Sequence, residues 1–315
     1  MSDKWDKENS YDFVSVPQSE WSNIRKWFGD HVSMTSLVLT ELNKIKRTKQ
    51  NGKRRSLNLG IRTIDAMVGG LFDGEILYLG NETENGNFAF CLNIMKRLAV
   101  DSGKKVLVFN CGRGEYEYAR GLLSLCAEVD VAKLKNPEWL SDEELQQMEE
   151  AAEKIQSADL SIVNIPNLCV ERLCDEVRKT QDEVRPDILL VDNLRFLTAT
   201  DVCDDRRAEY RVIAKKLRQF AKESGIPIVL TGPISKSRRM MDDYWATACD
   251  MPADDMLDSF DKIIMIHPCR EPLKKDVLNV TVIKNPEGPY GYRQIEYYPR
   301  CHKLTEIIEQ GKRLY

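Results

Sequence analysis

An α/β fold, a mostly parallel twisted sheet with helices on both faces, is predicted here by three observations. From Ser56 onward, short apolar β-rich runs alternate with longer stretches of helical periodicity. Several of those runs, such as Asp187-Ile188-Leu189-Leu190-Val191-Asp192, are apolar without interruption between their ends. A strand wetted on one face alternates polar and apolar residues, so a continuous apolar run implies burial on both faces, the situation of strands joined by helical crossovers. The third observation is size. With 315 residues, 42% hydrophobic and 30% charged, the chain can bury roughly 75% of its extended surface and needs neither disulfide nor metal to hold it.

Residues 1–16 are polar and are expected to be a disordered tail. Residues 17–55 read as a short helical N-terminal extension followed by a basic linker. From Pro17 to about Lys46 the pattern is helical, with Gly29 as a break, and Met34, Leu37, Val38, Leu42 and Ile45 fall on one face. Lys44 to Arg55 then carries seven basic residues and no acidic one, broken by the turn signal Asn51-Gly52. This is either a solvated linker or a strip that touches a nucleic-acid backbone or an acidic partner. Strands are expected at Glu75–Leu79, Lys105–Phe109, Leu160–Asn164, Ile188–Val191, Ile226–Leu230, Lys262–Ile266 and Leu278–Ile283. Helices are expected at Phe88–Ser102, Glu115–Ala127, Ser141–Ser157, Cys169–Asp182 and Arg206–Ser224. Little helix separates the last two strands, which predicts an antiparallel edge. The domain is expected over 56–300, with a C-terminal tail at 301–315.

A formal charge of −4, from 46 Lys+Arg and 50 Asp+Glu, excludes a basic nucleic-acid coat, so any nucleic-acid contact is a local patch. No apolar run approaches the ~18 residues of a membrane span, and the opening MSDKWDKENS lacks a signal peptide's apolar stretch. A cytoplasmic protein without membrane partners is expected. The nine cysteines contain no CxxC pair and read as buried thiols in a reducing compartment. His31, His267 and His302 share no metal-ligand spacing, so no metal site is expected.

In a parallel sheet, ligands bind beyond the carboxyl ends of the strands, which directs attention to the exit of the first one, Leu77-Tyr78-Leu79-Gly80-Asn81-Glu82-Thr83-Glu84-Asn85-Gly86-Asn87-Phe88. It has the position and length of a phosphate loop. Such a loop needs glycines for close backbone approach, a Lys for the terminal phosphates and a Ser/Thr hydroxyl for Mg²⁺. Here Gly86 stands where it is wanted, but Asn87 and Phe88 take the Lys and hydroxyl positions, and Glu82 and Glu84 add carboxylates. Loss of the charge-assisted bonds forfeits about 1.5–3 kcal/mol, and one carboxylate beside a phosphate costs up to ~4 kcal/mol at an effective dielectric near 20. No Lys or Arg lies between Leu77 and Met95, so no shift of register supplies the missing cation. Asp192, at the carboxyl end of its strand, is placed where an Mg²⁺-nucleotide site uses an acid.

Together these segments resemble the RecA-like motor domain of DnaB-type replicative helicases, a P-loop-NTPase-type fold. Leu59-Gly60-Ile61-Arg62-Thr63-Ile64-Asp65, Gly69-Gly70-Leu71 and Gly74-Glu75 are similar to the family's approach to its first strand. Phe90 to Ile94 resembles the helix after the phosphate loop, and the segment Leu189–Leu197 the Walker B strand. Arg207 through Leu217–Glu223 to Ile226-Pro227, Asp258 to Ile266 with Asp261 in an acidic position, and Ile283 to Gly291 resemble the later motifs in order. The departures fall on groups that handle ATP. Gly112 stands where the resemblance implies the water-activating Glu, Gly232 where it implies a Gln coupling nucleotide to DNA, and Pro286 where it implies the arginine finger. A proline offers neither a donor nor a charge.

The resemblance therefore implies a degenerate nucleotide pocket of Gly80, Gly86, Asn87, Phe88, Gly112, Asp192, Gly232 and Lys284, with no catalytic residue and no cofactor expected; ATP and Mg²⁺ would be the cofactors if the pocket is divergent but active. It also implies that the loops Thr198–Arg207 and Ile234–Asp250 face single-stranded DNA. The second carries Lys236, Arg238 and Arg239 with Tyr244 and Trp245 nearby, a mix suited to phosphate contact and base stacking. Expected partners are single-stranded DNA and a homo-oligomer or a hetero-ring with a replicative helicase. Two rivals stand beside this reading: a protein-interaction subunit that modulates an active helicase, and an ATP-dependent DNA helicase with a divergent pocket.

Overall fold

The computed structural model describes residues 34–51, 56–180, 184–235, 245–271, 274 and 276–307. The chain divides into two units, Met1–Arg55 and Ser56–Tyr315. In the first, one helix, α1 (Met34–Asn51), runs past the expected boundary at Lys46, so the first basic residues of the expected linker lie on a helix. Met34, Leu37, Val38, Leu42 and Ile45 are exposed along it. The expected tail over residues 1–16 lies outside the described residues.

The second unit opens with a turn held by one carboxylate. Asp65, in α2 (Arg62–Val68), accepts hydrogen bonds from the backbone N–H of Leu59 (2.6 Å) and Gly60 (3.0 Å). Gly69 ends the helix in the left-handed region (φ 73°), which a residue without a Cβ adopts without strain. The chain then enters β1 (Ile76–Asn81), buried along its whole length.

The elements that follow are α3 (Glu84–Met95), β2 (Val106–Asn110), α4 (Glu115–Ala127), α5 (Asp142–Gln156), β3 (Leu160–Asn164), α6 (Val170–Thr180) and β4 (Ile188–Asp192). After these come α7 (Arg206–Ser224), β5 (Ile228–Pro233), β6 (Lys262–Pro268), β7 (Val277–Lys284), β8 (Gly291–Tyr298) and β9 (Lys303–Glu306). Local chemistry sets several boundaries. Ser141 and Glu144 form a reciprocal capping box at the start of α5. Asp205 caps α7, and Gly225, with φ 67°, closes it.

The nine strands form one sheet in the order β3-β2-β4-β5-β1-β6-β7-β8-β9. Strands β1 to β6 are parallel, and β7, β8 and β9 continue as an antiparallel edge. Two of the edge strands escaped the sequence reading. The expected tail from residue 301 contains β9, whose four residues pair with β8 and bury Leu304. A strand of four residues leaves too few alternations to read.

Alternate residues along the central strands feed two cores. Leu77 and Leu79 of β1 join Leu92, Ile94 and Tyr118 on one face, whereas Ile76 and Tyr78 join Leu217, Phe220 and Phe260 on the other. Both faces are covered, as the uninterrupted apolar runs required. Because β1 lies at the centre, with β5 on one side and β6 on the other, the crevice at the carboxyl ends of β1, β4 and β5 is the place where this topology puts a ligand site.

Candidate functional site

At the exit of β1 the helix starts early. Asn81 accepts the Thr83 N–H (3.0 Å) through Oδ1, and Thr83 Oγ1 accepts the Gly86 N–H (3.1 Å), so Thr83 caps a helix whose first residue is Glu84. The expectation of a loop followed by a helix from Phe88 is corrected here by four residues. The sequence reading missed the cap because Thr83 stood inside the span assigned to a loop. Gly86 lies against the Asn81 amide so closely that a Cβ would collide with it. Asn87, 2% exposed, donates through Nδ2 to the carbonyl of Gly232 (3.1 Å). Among the described residues, neither Asn87 Oδ1 nor Asn81 Nδ2 has a hydrogen-bond partner. Gly80, within β1, faces the side chains of Ile234 and Tyr78. Glu82 forms an ion pair with Arg270 at 3.3 Å, which offsets the repulsion expected of its carboxylate.

Phe88 fills the space beside this turn. Its ring meets Tyr118 edge-on at 5.0 Å and His302 edge-on at 5.2 Å, and the Arg113 guanidinium sits 4.5 Å from its centroid. Tyr118 donates its hydroxyl to one oxygen of Asp192, and Thr231 donates to the other at 2.6 Å. Asp192 is 3% exposed, so both carboxylate oxygens are met by neutral hydroxyls inside the protein. Burial pushes the Tyr118 hydroxyl well above its ordinary range, and the Asp192 charge pushes the same way. The neighbouring thiols are held protonated by the same two causes, Cys111 up to about 12 and Cys91 also raised. Burial, with Arg113 close by, lowers the pKa of His302.

Two more positions are closed by aromatic rings. A Cβ at Gly112 would strike the ring of Phe196, and one at Gly232 would strike the Tyr78 phenol, whose hydroxyl donates to the Pro233 carbonyl at 2.5 Å. Gly80, Gly86, Asn87, Phe88, Gly112, Asp192 and Gly232 thus gather at the carboxyl ends of β1, β2, β4 and β5. Lys284 does not join them. It ends the antiparallel strand β7, pairs in register with Ile263 near the start of β6, and donates to the Leu257 carbonyl at 2.9 Å. Within one chain it lies at the opposite end of the sheet from Asp192, because an antiparallel strand finishes where its parallel neighbours begin. Tyr118, Thr231, Phe196, Arg113 and His302 were missed as site residues. Their sequence neighbourhoods are ordinary helix, strand and turn, and only the fold brings them to Asp192 and Phe88.

Lys236, Arg238 and Arg239, with Tyr244, lie outside the described residues. The other expected DNA loop, Thr198–Arg207, uses three of its charged residues internally. Asp201 pairs with Lys216, Asp205 caps α7, and Arg206 donates to the carbonyls of Leu194, Arg195 and Leu197. Glu171 accepts from Lys216 and from the Thr200 N–H; burial raises its pKa, but these bonds outweigh that and hold it down to about 2. Among the described residues, no group of three metal-ligating side chains is gathered, and no helix is long and apolar enough to cross a membrane.

The reversal of strand order about β1, a helix leaving β1 where a phosphate loop would lie, and an acid at the end of β4 define a RecA-like ATPase-type domain. Within that class the chain belongs to the DnaB-like helicase C terminal domain family, whose family model matches residues 56–306. Curated relatives include the replicative DNA helicase DnaC of Bacillus subtilis, 18% identical over 86% of this chain and 61% of that protein. Another is the replicative DNA helicase DnaB of Rickettsia typhi, 22% identical over 70% of this chain and 46% of its own length. The chain therefore spans between about half and two-thirds of these relatives. Among solved structures, an isolated ATPase domain superposes with a TM-score of 0.80 at 18% identity, covering 89% of this chain and all of that one. A DnaB-like replicative helicase studied for its interactions with primase gives 0.77 at 18% identity, over 92% of this chain and 71% of that chain. At this identity the superpositions establish the fold.

Proposed function

We propose that this chain is a DnaB-like helicase-domain protein of DNA replication or recombination that binds single-stranded DNA, a helicase ring, or both, without turning over ATP. The observation that carries the proposal is the state of Asp192. An acid that serves an Mg²⁺-nucleotide site must present an oxygen to a metal-bound water, and here the Asp192 carboxylate is 3% exposed, bonded to Tyr118 and Thr231, with the Phe88 ring packed on Tyr118. Asn87 and Phe88 in place of Lys and a hydroxyl, Gly112 under Phe196, and Pro286 in place of an arginine finger support the same reading. An arginine finger alone is worth roughly 10³–10⁵ in rate where one is used. Gly80, Gly86, Asn87, Phe88, Gly112, Asp192 and Gly232 are then the degenerate pocket, Lys284 a remnant that lies apart from it within one chain, and Lys236, Arg238 and Arg239 the residues that meet the DNA backbone. Arg238→Glu with Arg239→Glu abolishes single-strand binding on this account; unchanged affinity removes the DNA assignment.

A second reading rests on α1, whose apolar side chains are exposed. In it the chain joins an active helicase as a modulating subunit through Met34, Leu37, Val38, Leu42 and Ile45. Co-purification with an intact helicase after nuclease treatment, lost on Leu42→Asp, supports it, and persistence after that change removes it. DNA-stimulated ATPase abolished by Asp192→Asn would instead favour an ATP-dependent helicase with a divergent pocket.

A further inference from the structure

On the antiparallel half of the sheet, β6, β7 and β8 present a polar row on one face. His267, Asn279 and Gln294 are register partners across the three strands, and Gln294 Nε2 donates to Asn279 Oδ1 at 2.9 Å. Lys274 brings a cation to this row, donating to Gln294 Oε1 at 3.1 Å while also paired with Glu271. Two residues along, Thr281 pairs with Tyr292, and the buried Thr281 hydroxyl has no hydrogen-bond partner among the described residues. Over the row stands Trp245, its ring edge-on to His267 at 5.9 Å and tilted against Tyr292 at 4.4 Å. Tyr292 is nevertheless 60% exposed, and Tyr290, two residues earlier on the same hairpin, is 63% exposed.

We propose that Trp245 and Tyr292 form a stacking platform for an unstacked base of a single-stranded nucleic acid. An aromatic pair seated on a floor of amides, with one ring largely open to solvent, offers the π-face that every base can use. Half-buried Gln294 lies where the edge of such a base can be met, while Asn279 and the Thr281 hydroxyl are buried and form the floor beneath the rings. The inference rests on the single-strand binding proposed above and adds to Trp245 a partner on β8, Tyr292, far in sequence from Lys236, Arg238 and Arg239.

The test is fluorescence anisotropy of the full chain with a labelled oligo(dT) and with an abasic oligonucleotide of equal length. Tyr292→Ala weakens oligo(dT) binding roughly 5- to 100-fold, the range of one lost base–aromatic stack, leaves the abasic strand unaffected, and is rescued by Tyr292→Trp. Equal loss on both strands, no loss on oligo(dT), or a loss that tracks a change of oligomeric state by light scattering overturns the platform. If Tyr292→Ala is silent while Arg238→Glu with Arg239→Glu abolishes binding, only the platform fails. If the wild-type chain binds neither strand, the proposed DNA function fails with it.

Discussion

The strands β1, β4 and β5 and the turns that leave them were shaped by different demands. Along the strands, Ile76 to Leu79, Ile188 to Val191 and Ile228 to Leu230 are buried, hydrogen-bonded in register and apolar on both faces. At their carboxyl ends the residues are Asn81, Asp192 and Thr231, each buried, each polar and each committed to a bond within the protein. A sheet needs only that its strands be apolar and of the right length, and many sequences satisfy that. Nucleotide chemistry needs particular groups at a few exits. The two sets of demands are physically separable, so a chain can keep the first while its exits are rebuilt as core.

The sharpest way to break the comparison is to give the exit of β1 the Lys and hydroxyl of a phosphate loop. Phe88→Thr removes a buried aromatic ring, a class of change that costs roughly 3–5 kcal/mol, and Asn87→Lys adds an ammonium at a position with little access to water. The double variant is expected to lose at least that much stability in urea unfolding and to gain no ATPase activity. A stable, active double variant would mean that the exit opens readily.

Next in size is the bond at Asp192. Tyr118→Phe removes a hydrogen bond to a buried carboxylate, worth about 1.5–3 kcal/mol, and Thr231→Val removes the other. If both hydroxyls serve one carboxylate, a double-mutant cycle shows coupling between them, and strict additivity would separate them. Gly112→Glu is expected to cost about 1–3 kcal/mol by overpacking against Phe196, and Phe196→Ala should recover part of the loss. A loss unchanged by Phe196→Ala would place the strain elsewhere.

The smallest effect is a pH dependence. In the folded protein the pKa of His302 lies below its ordinary value of about 6.5, so below that pH the unfolded chain takes up the proton more readily. The stability that comes from a neutral His302 is therefore complete above pH ~6.5 and declines as pH falls towards the folded pKa. Thermal melts between pH ~7.5 and ~5.5 should show this decline in the wild type and a shallower one in His302→Phe; equal slopes would remove His302 from the cluster's energetics.

Much of this was legible in the residues. The uninterrupted apolar runs marked β1, β4, β5 and β6 within a few residues, and helical periodicity placed α5 and α7 to within a residue at each end. That no Lys or Arg lies between Leu77 and Met95 needed only counting along the β1 exit. What fills the site was not legible. Tyr118 lies on α4, Thr231 at the end of β5 and His302 in the turn before β9, and no local pattern links them to Asp192 or Phe88. Within one chain Lys284 lies apart from Asp192 for the same reason, since the direction of β7 sets which end of the sheet it reaches. Sequence periodicity reports which face a residue takes, and the three-dimensional path decides what it meets there.

The most direct test of the central claim is isothermal titration of the purified chain with MgATP, with and without a single-stranded oligonucleotide. The account predicts no heat from MgATP in either case and a binding signal from the oligonucleotide. Tight MgATP binding would contradict it, because the buried Asp192 would then have to become accessible and the turn at Asn87 would have to open.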